Sequence, residues 1–240
     1  MMEQRFQRLI AAEIARASRV MLDEYEANGA DPVLPFDHAG NIGFIYGQMA
    51  LMGVDVFGSR VIGQGKASGQ VMETKSFADF FKRLAAEYIS QEAIRRRITS
   101  VSTFTRTKIV DQISAGQESG LGVAEIGRAI RKQVAGVSVY RGKLIARTET
   151  HGAANYGAYN AAKATGLKMR KEWVAAEDER TRDGHRLADG QTVDMDQPFK
   201  VAVRVGLTML VEDMTYPGDE NAFAGNTINC RCAVSYIVDD

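Results

Sequence analysis

Cysteine, proline, histidine and tryptophan are all scarce in these 240 residues, and each scarcity excludes something. The only two cysteines, Cys230 and Cys232, are one residue apart. That spacing is poor disulfide geometry and leaves no other partner, so the chain is no disulfide-stapled scaffold and points to a reducing environment. The four prolines stand at 32, 35, 198 and 217, so residues 36–197 contain no strong helix breaker. No Walker loop, GxGxxG, HExxH or GxSxG string occurs, which removes the most readable enzyme classes. The N-terminus interleaves Arg and Glu with apolar residues and lacks the unbroken apolar core of a signal peptide, which speaks against secretion by that route.

What is present is the composition of a folding protein, 45% hydrophobic and 25% charged, with a formal net charge of zero. That zero hides an asymmetry. Residues 1–171 carry 24 basic and 16 acidic side chains, whereas residues 172–240 carry 6 and 14. Such halves face different partners or dock on one another.

Apolar residues from Phe6 to Tyr25 recur at helical spacing and predict a first helix ending near Asn28 and Gly29. Residues 41–61 are apolar and glycine-bearing, short of the roughly 20 uncharged residues of a bilayer span, and fit a closely packed buried helix better. The Gly/Ser-rich stretch 63–69 predicts a flexible connection. Ser76 is the expected cap of one long helix running to Gly116. A short helix over 123–134 and a third over 139–165 follow, the last with a small-residue face and Gly166 at its end. Beyond it, turn dipeptides at 183–184, 189–190 and 217–218 alternate with β-branched runs at 201–205 and 233–238. The expected fold class is α+β, a mainly helical N-terminal body with a small C-terminal β-containing module. Its regions are 1–70, a body at 71–166, and a module at 167–240.

Two kinds of residue pattern carry chemistry. His185, Cys230 and Cys232 could supply three tetrahedral ligands to zinc, with His151, Asp178 and Asp183 as candidates for a fourth. Alternatively, Cys230 and Cys232 are small hydrophobes sharing one face of a strand, or a thiol and His185 form a nucleophile and base. The second pattern is basic. Arg95, Arg96, Arg97, Arg106 and Lys108 occupy 95–108 with no acid between them, as do six basic residues over 128–147. Such runs neutralise phosphates without sequence preference, or form solvated helix faces. Arg147-Thr148-Glu149 reads as an ion-pair anchor between the last helix and the module in preference to a catalytic carboxylate beside His151, because residues 149 and 151 point to different helix faces.

The order of signals then becomes recognisable. Arg147 and Glu149 on a small-residue helix, Trp173, Asp178 with Arg180, His185, and the closing Asn229-Cys230-Arg231-Cys232 resemble the phage Mu F-like minor head protein (head morphogenesis) family over about residues 120–238. The resemblance implies a structural role without turnover in a tailed bacteriophage or prophage, with the portal protein, the major capsid protein and phage double-stranded DNA as partners and no small-molecule substrate. The implied location is the virion, at the capsid interior or portal vertex, after assembly in the host cytoplasm. It also implies a metal-binding knuckle, although Arg182 and His185 stand where many members carry Cys-x-x-Cys. Some relatives fuse this domain to toxin enzymes, and the expectation is that no such extension follows Asp240. The alternatives are a Cys/His or metal-dependent hydrolase and a protein ejected with the genome.

Overall fold

The computed structural model describes residues 2–28, 32–35, 37–67 and 77–239. The elements run α1 (Met2–Asn28), α2 (His38–Ala67), α3 (Phe77–Ser90), α4 (Glu92–Glu118), α5 (Val123–Ala164), β1 (Met169–Val174), α6 (Asp183–Ala188), β2 (Thr192–Asp194), β3 (Phe199–Val205), β4 (Thr208–Met214), α7 (Ala224–Thr227) and β5 (Ala233–Val238). The fold is α+β: helices up to residue 164, then a small module of antiparallel strands.

Three helix boundaries differ from the sequence expectation. The predicted long helix breaks at Gln91, where the Ser90 hydroxyl donates to Glu87 O and competes with the backbone ladder. The two helices expected over 123–165 are one, because no proline interrupts them and nothing crowds Gly136. The stretch 63–67, expected to be a flexible connection, continues α2 past the buried Val61 and Ile62; residues 68 and 69, like Ser76, lie outside the described residues. Among the described residues, α2 alone is long and apolar enough to cross a membrane, and 44% of its most apolar window is buried inside the protein.

The chain divides into two compact units, and α2 and α5 contribute residues to both. Residues 1–46 and 94–146 form the first. Its core joins Met21, Leu22 and Tyr25 of α1 to Ile109 and Ile113 of α4 and to Ile126 and Ile130 of α5. Gly142 lets α5 approach α1 closely, since a Cβ there would stand 2.7 Å from Gln7 O. Buried Glu13 binds His38 Nδ1 and Arg16 Nη2, each at 2.8 Å, and Arg16 reaches on to Asp37.

The second unit holds residues 47–93 and 147–240. Here the small-residue face of α5 packs on α2. A Cβ at Gly157 would lie 2.5 Å from Val54 Cα, and one at Gly53 would make a tight contact, 3.2 Å, with Ala153 Cβ. Gly166, at φ +70°, ends α5. The strands form a three-stranded sheet in the order β2-β1-β5 and a separate hairpin of β3 and β4, all antiparallel. Trp173, Ala188, Phe199, Val201, Met214, Cys230 and Cys232 share the module's core. The dipeptide at 183–184, expected to be a turn, opens α6 instead. Gly184 is needed there because a Cβ would lie 2.0 Å from Ala202 O, so the helix sits directly on β3.

Candidate metal centre and basic helix face

His185 on α6 and Cys230 and Cys232 in the segment between α7 and β5 are brought together by the fold. Their ligand atoms all lie within 4.8 Å of one another, and all three residues are buried. The two cysteines precede β5, so the expectation that they share a face of one strand is not met; Asn229, at φ +60°, turns the chain just before them. Trp173 packs edge-on against the His185 ring at 5.4 Å between centroids and likewise against Phe199, giving the imidazole an apolar floor.

The hydrogen bonds fix which imidazole nitrogen faces the thiols. Asn226 Nδ2 donates to Glu212 Oε1 at 2.7 Å, so Asn226 Oδ1 is turned to His185 Nε2, 3.1 Å away. An amide oxygen only accepts, so Nε2 carries the proton and the lone pair of Nδ1 points at Cys232 Sγ, 3.2 Å away, and at Cys230 Sγ, 3.7 Å away. The hydrogen bond from Cys230 holds the Cys232 thiol below its ordinary pKa against the effect of burial, while Cys230 is pushed up. The cluster therefore readily gives up one proton, as a thiolate ligand must.

Two thiols and a tautomer-fixed imidazole fit a soft divalent metal ion with three protein ligands. Among the described residues no fourth ligand closes the site. Asp178 is held in an ion pair by Arg231, His151 Nε2 lies 3.0 Å from Asn155 Nδ2, and Asp183 is exposed and paired with Arg186. Arg182 donates to Ile228 O. None of the fourth-ligand candidates joins the cluster.

The remaining motif residues bind the module together. Arg147 Nη1 donates to Asn229 Oδ1 at 3.0 Å, and the Thr148 hydroxyl accepts from Asn229 N at 2.9 Å, so α5 clamps the turn before the cysteines. Glu149 is buried, as an anchoring role requires. Asp178 accepts from the Arg180 amide and from the Arg231 guanidinium, which holds its carboxyl well below the usual carboxylate range. Asn226 and Glu212 escaped sequence reasoning, since no spacing relates them to His185.

The basic residues of α4 do not form one stripe. At about 100° per residue, Arg95 and Arg106 flank one edge of the buried face, Arg97 and Lys108 the other, and Arg96 stands between them. All are exposed except Arg97, which is half-buried, and Lys108 lies 4.0 Å from Asp111. On α5, Arg131 is taken up by Glu26, and Arg141 stacks 4.2 Å over the Phe104 ring.

Residues 107–235 match the family described as Phage Mu protein F like protein, more than half of the chain. The chain belongs to this family. It is 33% identical to the minor head protein GP7 of Bacillus phage SPP1 over 129 residues, which is 53% of this chain and 39% of GP7. It is also 27% identical to an NAD(+)--arginine ADP-ribosyltransferase, EFV, of Enterococcus faecalis (strain ATCC 700802 / V583) over 164 residues, 67% of this chain and 32% of that protein. The chain thus spans about a third of the length of the curated relatives it matches. No solved structure matches it. The match brackets the metal-competent cluster, the Arg147–Asn229 clamp and Asp178, so the described site is built from residues inside the family's span.

Proposed function

We propose that this member of the Mu F-like family acts as a minor head component of a tailed phage or prophage, without catalytic turnover, incorporated into the capsid during head assembly. The observation that carries the reading is the family match together with 33% identity to a minor head protein. The site supports it. Asp178 is spent on the Arg231 guanidinium, Arg147 is spent on the Asn229 side-chain amide, and the thiols are buried, so the module is built to hold shape. In this reading the acidic module contacts the portal protein or the major capsid protein at the inner wall or portal vertex. The basic side of α4 faces packaged double-stranded DNA, where a fan of cations neutralises phosphates without reading bases. Zinc is the ion we assign to His185, Cys230 and Cys232. It would cross-link α6 to the segment before β5 and leave a fourth position to a ligand from outside the chain.

The test is coexpression with the neighbouring portal and major capsid proteins, followed by purification of particles and a high-salt wash. Retention of the chain is the expected result. Its absence from particles, together with transfer of ADP-ribose from NAD+ to an arginine substrate by the purified chain, would move the assignment to the enzyme named by the second relative.

A further inference from the structure

The hairpin of β3 and β4 turns at Gly206 and Leu207, with Gly206 at φ +62° and Leu207 at ordinary φ. That is a type II′ turn, which favours glycine at its first central position. A two-residue turn makes Val205 and Thr208 a hydrogen-bonded pair. Alternation along the strand then directs the N–H and C=O groups of Leu210 and Glu212 at β3, and those of Met209, Val211 and Asp213 outward. Among the described strands β4 pairs with β3 alone, so no strand meets the outward groups. The side chains are uncovered as well. Leu207 is 100% exposed, Val211 67%, Met209 51% and Leu210 40%. Proteins ordinarily blunt an open edge with charge or proline; residues 207–211 have neither, and the charges of β4, Glu212 and Asp213, stand at its far end.

We propose that the open edge of β4 pairs antiparallel with β4 of a second copy of this chain, in the register centred on Val211. The hydrogen-bonding pattern selects that register. It sets Met209 against Asp213 of the second copy, Val211 against its own counterpart, and Asp213 against Met209, so every outward group is paired. A shift of two residues toward the turn brings Leu207 into the ladder, and a shift the other way leaves Met209 unpaired. Each such pair exchanges two bonds, about six in all. Charge complements it. Arg204 lies across from Met209 on β3, so the joined sheet brings Arg204, as a second cation beside the existing Lys200 partner, within two strand spacings, about 9.6 Å, of Asp213 of the second copy. Ala202 lies across from Val211, so the two valines meet on the axis between two alanines. The result is a four-stranded sheet, β3-β4-β4-β3, with an isologous two-fold interface that closes on itself.

The experiment is light scattering with size exclusion on the full chain over a wide concentration range, with two variants. The wild type should be a dimer that dissociates on dilution. Val211→Pro removes only an outward N–H and should give a monomer with unchanged far-UV circular dichroism. Val211→Cys should give a disulfide-linked dimer on mild oxidation, because Cα atoms of a hydrogen-bonded pair lie about 5.5 Å apart, within disulfide range. Native Cys230 and Cys232 are buried and do not compete. A wild type that stays monomeric at every concentration overturns the proposal, as does a dimer that survives Val211→Pro. Should Val211→Pro fail to fold, Val211→Cys decides, and no cross-link overturns the proposal.

Discussion

His185 shows how much one side chain depends on groups that never touch its target. Its Nδ1 presents a lone pair to the thiols because Nε2 keeps the proton and donates it in a hydrogen bond to Asn226 Oδ1, and Asn226 is oriented by Glu212. Outer partners of this kind typically govern metal affinity by 10–100-fold. Titration of the full chain with cobalt(II) should therefore give thiolate-to-metal absorption that Cys232→Ser abolishes, and Asn226→Ala should weaken binding by about 10–100-fold. Equal affinity in wild type and Asn226→Ala would remove Asn226 and Glu212 from the site's design. Lys171 is a second case. It is 1% exposed, its Nζ donates to Thr215 O at 2.8 Å and lies 4.9 Å and 5.0 Å from the Tyr159 and Phe199 ring centroids, and burial pushes its pKa down to about 8. Between pH 8 and about 10 the unfolded chain keeps a proton that the folded chain has released, so stability rises with pH across that window. Melting temperatures should climb from pH 8 to pH 9.5 in wild type, and Lys171→Met should flatten the climb. A falling wild-type curve would contradict the buried charge.

At the scale of elements, α2 and α5 are held in contact by missing side chains. Gly157→Ala places a Cβ 2.5 Å from Val54 Cα, and both sides of the clash are helix backbone. Overpacking of that kind costs about 1–3 kcal/mol, a fall of several degrees in melting temperature for a chain of this length. Gly136→Ala, with nothing within 4 Å, should instead be neutral or stabilising by about 0.5–1 kcal/mol. A Gly157→Ala protein as stable as wild type would show that the helices do not meet there. The basic run on α4 belongs to this scale too. Reversing Arg95, Arg96 and Arg97 to Glu should reduce salt-sensitive retention on double-stranded DNA, read as a shallower dependence of binding on salt. Unchanged retention would remove the DNA contact from the account.

Legibility in the sequence also divides by element. The periodicity from Phe6 to Tyr25 gave α1 to within a residue of its end, and the β-branched runs located β3 and β5, because both signals are local. The break at Gln91 and the continuity through Gly136 were not legible. A hydroxyl that bonds back to Glu87 and a glycine that nothing crowds look alike in sequence to a helix interior and a helix end. The gathering of His185 with Cys230 and Cys232 was expected from residue type. Asn226 and Glu212 were not, because their relation to His185 is made only by the packing of α7 and β4 around α6.

For the whole molecule, the charge is uneven, 24 basic against 16 acidic residues before 172 and 6 against 14 after it, and in the proposed function the basic region is assigned to DNA and the acidic one to protein. The most direct measurement is the number of copies of this chain in gradient-purified heads, counted by quantitative mass spectrometry against the portal and the major capsid protein. The account predicts a few copies per head that survive a high-salt wash. Heads that contain none, or copies that rise in proportion to the major capsid protein, would contradict it.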